Sequence, residues 1–299
     1  MRTAIRSATV TLVVFIGATL TAHRAWAQID FSGEWAVRLH EDQLHRNDVL
    51  PGGLAVGDYT GLPLNDAARR KADSWDASIL SSRERQTIPG PSVYGGRAAS
   101  VRISKIVDDD TQKVIAFKIY RSPGNNGTVR MIWMDGRPHP PEYAAHTWQG
   151  FSTGTWQGDM LNVETTHVKA GVIQRNGVAT TDRATMTEHF ARHGNVLTII
   201  SVVYDSAYLE EPFVRSTNYA LDLAQQLEPI HGEIVDEIAG RPDGYVPHHL
   251  PGRNDQIKEF AEHLGLPFEA TRGGKESLYP EYQLTLQKMM SRMPAPAAK

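Results

Sequence analysis

Short segments of alternating polarity, closely spaced and separated by tight-turn residues, constrain this chain's fold more than any other feature. Segments 101–107, 113–120, 128–134, 159–168, 183–193, 196–204 and 212–221 read as strands rich in β-branched and aromatic residues. Several are bounded by Gly124-Asn125-Asn126-Gly127, Gln157-Gly158-Asp159, Asn176-Gly177 or Gly194-Asn195, which suit the positive φ angles of tight hairpins. Connections this short join antiparallel neighbours, because a parallel crossover needs about a dozen residues or more. An earlier strand is expected over 29–37, with Phe31, Trp35 and Val37 supplying its apolar faces. The expected class is mainly β, an antiparallel barrel or sandwich. The barrel is favoured because closure removes exposed edges.

Helices are few. Residues 65–76 read as one, with Asn65 as N-cap and Ala68, Ala72 and Trp75 on one face. Residues 51–61 are Gly-rich loop, and 81–100 look irregular. The β pattern stops near Gln225. A short helix follows over Asp255–Leu264, closed by Gly265, and another is expected within 277–292. The domain reading is a signal peptide over 1–27, a β domain over 28–225, and an extension over 226–299 that packs on the barrel. Residues Pro294–Lys299 are expected to fray.

The N-terminus carries Arg2 and Arg6, an uncharged apolar run from Ala8 to Ala22, and then His23-Arg24-Ala25-Trp26-Ala27. That is the layout of a cleavable export signal ending at Ala27, and the run is short for a membrane span of about 20 residues. The expected location is the periplasm or the medium, with no membrane span after cleavage. Removing residues 1–27 takes away three arginines and no acid, leaving 28 basic against 34 acidic residues. An acidic balance argues against a nucleic-acid partner, which would need basic surface. The chain has no cysteine, which excludes disulfides, Fe–S clusters, thiolate zinc sites and a cysteine nucleophile. No feature of the sequence specifies an oligomeric state.

Two stretches carry a resemblance. The first runs from Met131 to Pro140 and contains Met134-Asp135-Gly136-Arg137-Pro138-His139-Pro140. The second runs from His146 through Trp148, Gly150, Ser152, Gly154, Trp156, Gly158, Asp159 and Leu161 to Val163. Together they resemble an uncharacterised family of exported acidobacterial and proteobacterial proteins with an MDGRPHP turn and a W-x-G-x-S-x-G-x-W-x-G-D-x-L-x-V run. The similarity extends over most of the chain after residue 27, including Tyr59-Thr60-Gly61-Leu62-Pro63. The resemblance implies export and, by analogy of fold, a lipocalin-like barrel. It carries over no catalytic residue. Members often contain cysteines, and this chain has none.

Strand parity supplies site candidates from the residues themselves. In 159–168, Leu161 and Val163 lead by twos to Thr165 and His167. In 183–193, Met186 and Phe190 share a face with Glu188. In 128–135, Val129, Met131 and Trp133 lead to Asp135. Asp135, His167 and Glu188 are therefore expected to face inward. A Glu188 kept protonated by an apolar setting would act as an acid, His167 would move a second proton, and Asp135 would fix the imidazole tautomer. The segment after Asp135 gathers Arg137, His139, Tyr143, His146 and Trp148 beside a strand end. With Trp133 and Tyr219 these are the candidate substrate-binding residues. The aromatics serve equally as core.

Other chemistries fit less well. His189 and His193 lack the His-Glu-x-x-His order and, on a strand, stand roughly 13 Å apart. A site from His139, His146 and His167 is conceivable only through the fold, and no metal is expected. Gly150-Phe151-Ser152-Thr153-Gly154 has the letters of a nucleophile elbow but precedes a β-turn rather than a helix. No organic cofactor is expected, since dinucleotide and phosphate-loop motifs are absent. Three functions compete. The first is an exported lyase, hydratase or isomerase acting on a small hydrophobic molecule in a barrel cavity. The second is a non-catalytic binder of an apolar ligand. The third is a glycoside-active protein with a carboxylate pair about 5–9.5 Å apart.

Overall fold

Nine strands close into a ring in the computed structural model, which describes residues 29–38, 55–94, 99–122, 129–227 and 233–293. The expected export signal, the Gly124–Gly127 turn, the start of the Gly-rich loop and the last six residues lie outside the described residues. Ile29 and Asp30 belong to a separate N-terminal unit, and everything from Phe31 onward to a second.

The strands are β1 (Gly33–Arg38), β2 (Ser100–Val107), β3 (Val114–Ser122), β4 (Val129–Trp133), β5 (Phe151–Gln157), β6 (Met160–Thr166), β9 (Thr185–His193), β10 (Val196–Tyr204) and β11 (Phe213–Leu221). A two-stranded ribbon, β7 (Gly171–Val172) and β8 (Ala179–Thr180), sits between β6 and β9. Around the barrel the order is β1-β11-β10-β9-β6-β5-β4-β3-β2. The mainly β, closed-barrel expectation is met. It needs one amendment, which arithmetic requires: nine strands in a ring cannot all alternate in direction, so one pair of neighbours must be parallel. That pair is β4 and β5, joined through Ile132↔Ser152 and Trp133↔Thr153.

β5 is the strand missing from the sequence reading, and its parallel pairing explains the Pro-rich motif. A parallel neighbour requires the chain to travel back along the barrel before re-entering the sheet. Residues 134–150 make that return as an irregular crossover on the outside of the barrel. The crossover is tied down by Thr147, whose N–H donates to the His167 carbonyl at 2.9 Å. Its own carbonyl accepts from the Lys169 N–H at 2.9 Å.

Both barrel ends are filled. At one, Phe31 stacks on Trp156 (centroids 5.6 Å apart, planes 5° apart) and meets Phe117 and Phe190 edge-on. At the other, the segment between β1 and β2 folds over the opening. Asn65 caps helix α1 (Asp66–Asp73) by accepting from the Ala68 N–H at 3.0 Å, as its sequence predicts. Tyr59, Leu62, Leu64, Ala68, Ala72 and Val93 from this segment bury against Met186, Val203 and Leu209. The four-residue helix α2 (Arg83–Gln86) and a 3-10 turn over Ser92–Tyr94 lie within the stretch that reads as irregular, and another 3-10 turn, Ala77–Ser81, leads into it.

The C-terminal extension contains a 3-10 turn over Asp255–Lys258 running into α3 (Glu259–Leu264), with Gly265 left-handed at its C-cap (φ 62°), and then α4 (Tyr282–Met290). It bonds to the α1 region at named points. Asn254 donates to the Asp73 and Trp75 carbonyls (2.8 and 3.1 Å), and Arg272 grips the Asp73 carboxylate through two bonds of 2.8 and 2.7 Å. No helix among the described residues is long and apolar enough to cross a membrane.

Candidate functional site

Inside the barrel, alternation along β9 places Met186, Glu188 and Phe190 inward, and Glu188 is 1 % exposed. It is not isolated. Arg130 reaches it from β4, donating through Nη2 to Glu188 Oε2 at 2.5 Å and to Thr165 Oγ1 at 2.7 Å, and through Nε to Ser152 Oγ at 3.0 Å. Ser152 and Thr165 bond to each other at 3.0 Å. This buried network turns the serine of the G-x-S-x-G letters into a guanidinium acceptor. It also gives Glu188 a guanidinium partner in place of the purely apolar neighbours that strand parity predicts. Arg130 Nη1 has no hydrogen-bond partner among the described residues. Tyr219 is fully buried and accepts from Arg121 at 3.3 Å.

Asp135 and His167 are not in that interior. On β4 the inward row is Arg130 and Ile132, the reverse of the sequence reading, and Val129, Met131 and Trp133 face outward. The crossover shelters part of this outer apolar row: Trp148, Gly150 and Phe151 share a shallow depression with these three side chains, although Val129 stays exposed. Asp135 sits beyond the strand end as a partner of Arg137, with bonds of 2.5 to 3.0 Å. Those bonds hold its carboxyl below the usual carboxylate range and push the Arg137 guanidinium up. Arg137 also lies 3.5 Å over the Trp133 ring. His167 misses the interior for a different reason. β6 ends at Thr166, and His167 takes a left-handed φ of 56°, which breaks the two-residue alternation that would have aimed it inward.

The expected triad is thus divided by the barrel wall. On the outside, His167 joins a hydrogen-bonded chain whose direction follows when the imidazoles are neutral. The Pro141 carbonyl can only accept, so His167 Nε2 (3.0 Å away) carries the proton and its Nδ1 accepts from Thr166 Oγ1 at 2.7 Å. Thr166, having donated its one hydrogen, accepts from His139 Nδ1 at 2.8 Å, and His139 Nε2 accepts from Thr153 at 2.8 Å. His146 donates to the Val168 carbonyl at 3.0 Å and lies 5.2 Å from the His167 ring. Partial burial lowers the His139 pKa below its ordinary 6.5, opposed by the Glu164 carboxylate and reinforced by His167. These imidazoles fasten the crossover to β5 and β6. Tyr143, 90 % exposed at the far side of the crossover, touches neither network. No group of three or more His, Asp or Glu arranged to hold a metal occurs among the described residues.

Of the candidate binding residues, Trp148 alone also lines a second hollow, more enclosed than the depression it shares with Trp133. This hollow of about 210 Å³ lies outside the barrel, between the segment Trp75–Tyr94 and the β7 ribbon. Trp75, Tyr94 and Trp148 supply aromatic walls, and Ile79, Leu80 and Val172 aliphatic ones. The fold places each wall firmly. Trp148 is held by its carbonyl, which accepts from the Ser92 N–H at 3.0 Å, and the next residue, Gln149, donates to the Gly90 carbonyl at 2.9 Å. Trp75 packs on Gly177, where a Cβ would come within 2.4 Å of the tryptophan's own. Gly171 leaves room for Pro91 in the same way.

Sequence reading missed Arg130 because it sits between apolar neighbours on a strand whose parity was read the other way. It placed Trp75 on a helix face with Ala68 and Ala72 and read residues 81–100 as irregular. The available signal was an aromatic at each edge of a Pro- and Gly-rich stretch.

No protein-family model and no curated protein matches the chain. Among solved structures it is similar to the fluorescent protein UnaG. The wild-type crystal structure aligns at 10 % identity over 64 % of this chain and 97 % of that one, with a TM-score of 0.28. A glutamine-for-asparagine mutant of UnaG aligns at 12 % identity over 64 % and 95 %, with the same TM-score.

Proposed function

We propose that this chain is an exported, non-catalytic binding protein for a small, largely apolar molecule, seated in the cleft walled by Trp75, Tyr94 and Trp148. The observation that carries the reading is the cleft itself: a concave hollow with aromatic and aliphatic walls and three polar side chains, Arg85, Gln86 and Arg175, built beside a closed barrel. The signal-like pattern of residues 1–27 supports export.

A proton-transfer enzyme is less well supported. Glu188 is bonded to Arg130 inside the barrel, while His167 and Asp135 are spoken for outside it, by Pro141 and Thr166 and by Arg137. Glu188 is also the one carboxylate on an inward row among the described strand residues, so a glycoside-type pair of carboxyls has no place there.

The test uses the full mature chain, screened by thermal shift against a library of small apolar compounds. Hits are then measured on Val172→Trp, which fills the cleft from the β7 ribbon. Binding should disappear in the variant while the unfolding midpoint of the free protein stays close to that of the parent. Hits that bind Val172→Trp as tightly as the parent would place the ligand elsewhere and end this reading.

A further inference from the structure

The lining of the cleft is one-sided in charge. Arg85 and Arg175 both belong to it, and no Asp or Glu does. Six other arginines among the described residues are ion-paired: Arg130 to Glu188, Arg137 to Asp135, Arg272 to Asp73, Arg69 to Asp66, Arg83 to Asp236 and Arg102 to Glu34. The Arg85 and Arg175 side chains have no hydrogen bond or ion pair to any described residue. A third cation, Lys169, lies 5.4 Å over the Trp148 ring. The chain as a whole carries a formal charge of −3, so a hollow whose charged lining residues are all cations is a local arrangement and not a reflection of a basic protein.

From this we infer that the occupant is a flat apolar acid, with its ring system against Trp75, Tyr94 and Trp148 and its carboxylate on Arg85 and Arg175. The inference rests on the binding role proposed above and specifies its ligand. A guanidinium presents a planar fork of donors that matches a carboxylate, and both arginines are exposed lining residues whose forks a ligand can reach. A neutral molecule of the same shape would gain the stacking and leave both forks to solvent. A cation would be repelled. The charge therefore selects among ligands that the apolar walls alone would accept.

The experiment compares two probes of one shape, 2-naphthoate and 2-naphthamide, by titration calorimetry on the full mature chain and on Arg85→Gln, Arg175→Gln and the double variant. Each charge-assisted bond contributes about tenfold in affinity. The acid should therefore bind the parent at least about tenfold more tightly than the amide. Raised salt should weaken the acid alone. Each single variant should narrow the acid-over-amide ratio, and the double variant should bring it near one. Equal binding of the two probes by the parent, or a ratio unmoved by the double variant, overturns the charge assignment and leaves the apolar cleft standing. Failure of both probes to bind overturns the assignment together with the binding role. Circular dichroism of each variant confirms that the fold is intact, as expected for substitutions of exposed side chains.

Discussion

Glu188→Gln should cost this barrel several kcal/mol, and the way that cost responds to pH and to a second substitution distinguishes a buried ion pair from a merely crowded core. The Arg130 and Glu188 side chains are 3 % and 2 % exposed and meet at 2.5 Å. Removing one partner of such a pair leaves a charge in a dry interior, at about 3–5 kcal/mol. For a chain of this size that is a fall in Tm of roughly 6–20 °C. Glu188→Gln has no escape, because a guanidinium does not give up its proton. Arg130→Met does: the remaining carboxyl can take up a proton. Holding an ordinary glutamic acid neutral costs about 3.7 kcal/mol at pH 7 and about 1 kcal/mol at pH 5. The two variants should therefore be similarly damaged at pH 7, and only Arg130→Met should recover at pH 5. Arg130→Met/Glu188→Leu removes both charges, and Ser152 and Thr165 keep their bond to each other. It should lie within about 2 kcal/mol of the parent, with a coupling of at least about 2 kcal/mol across the cycle. Urea unfolding at 25 °C followed by tryptophan fluorescence, at both pH values and with m checked for constancy, gives all the required differences. A Glu188→Gln loss below about 1 kcal/mol, additive behaviour in the double variant, or equal recovery of both single variants at pH 5 would refute the reasoning.

Two further outcomes follow from the outer face and from the cleft wall. The folded protein holds His139 below its ordinary pKa of 6.5 by burial, so the folded state takes up a proton less readily than the unfolded chain. Its stabilising contribution is complete above pH 6.5 and is lost as pH falls from there through the depressed folded value. His139→Ala should cost about 1–2 kcal/mol at pH 7.5, for two hydrogen bonds, and should flatten the pH dependence of urea stability between 7.5 and 5. An unchanged slope would show that another group carries it. Gly177→Ala combines a φ of 96°, which an L side chain adopts at a cost, with a Cβ 2.4 Å from that of Trp75. A loss of about 2 kcal/mol or more is expected, together with a shift in tryptophan emission as Trp75 is displaced. A stability within about 0.5 kcal/mol of the parent would mean that the wall yields freely.

The inner rows were legible wherever alternation ran unbroken. Leu161, Val163, Met186, Glu188 and Phe190 all point as period two directs. The reading failed where a side chain's direction depended on something beyond its own strand. His167 turned outward through one left-handed residue. On β4 hydrophobicity pointed the wrong way, because Trp133 and its neighbours are partly sheltered from outside by the crossover. β5 went unread because Ser, Thr and Gly dominate it, a composition suited to an inner row that must leave room for Arg130 and for Met134, whose sulfur would lie 2.5 Å from a Cβ at Gly154.

By itself, then, the amino-acid order determined that the chain is mostly strand, where its tight turns and the Asn65 cap lie, which residues of β6 and β9 share a face, and the acidic, cysteine-free balance that rules out whole classes of chemistry. These are properties of neighbours along the chain, set by local sterics and by periods of two and 3.6 residues. Only the tertiary structure decided the partner of Glu188, the exile of His167 and Asp135 to the outer surface, and the meeting of Trp75, Tyr94 and Trp148 around one hollow. Each of those depends on ring closure with an odd number of strands and on the crossover that closure demands, which brings together residues far apart in sequence that no local pattern links.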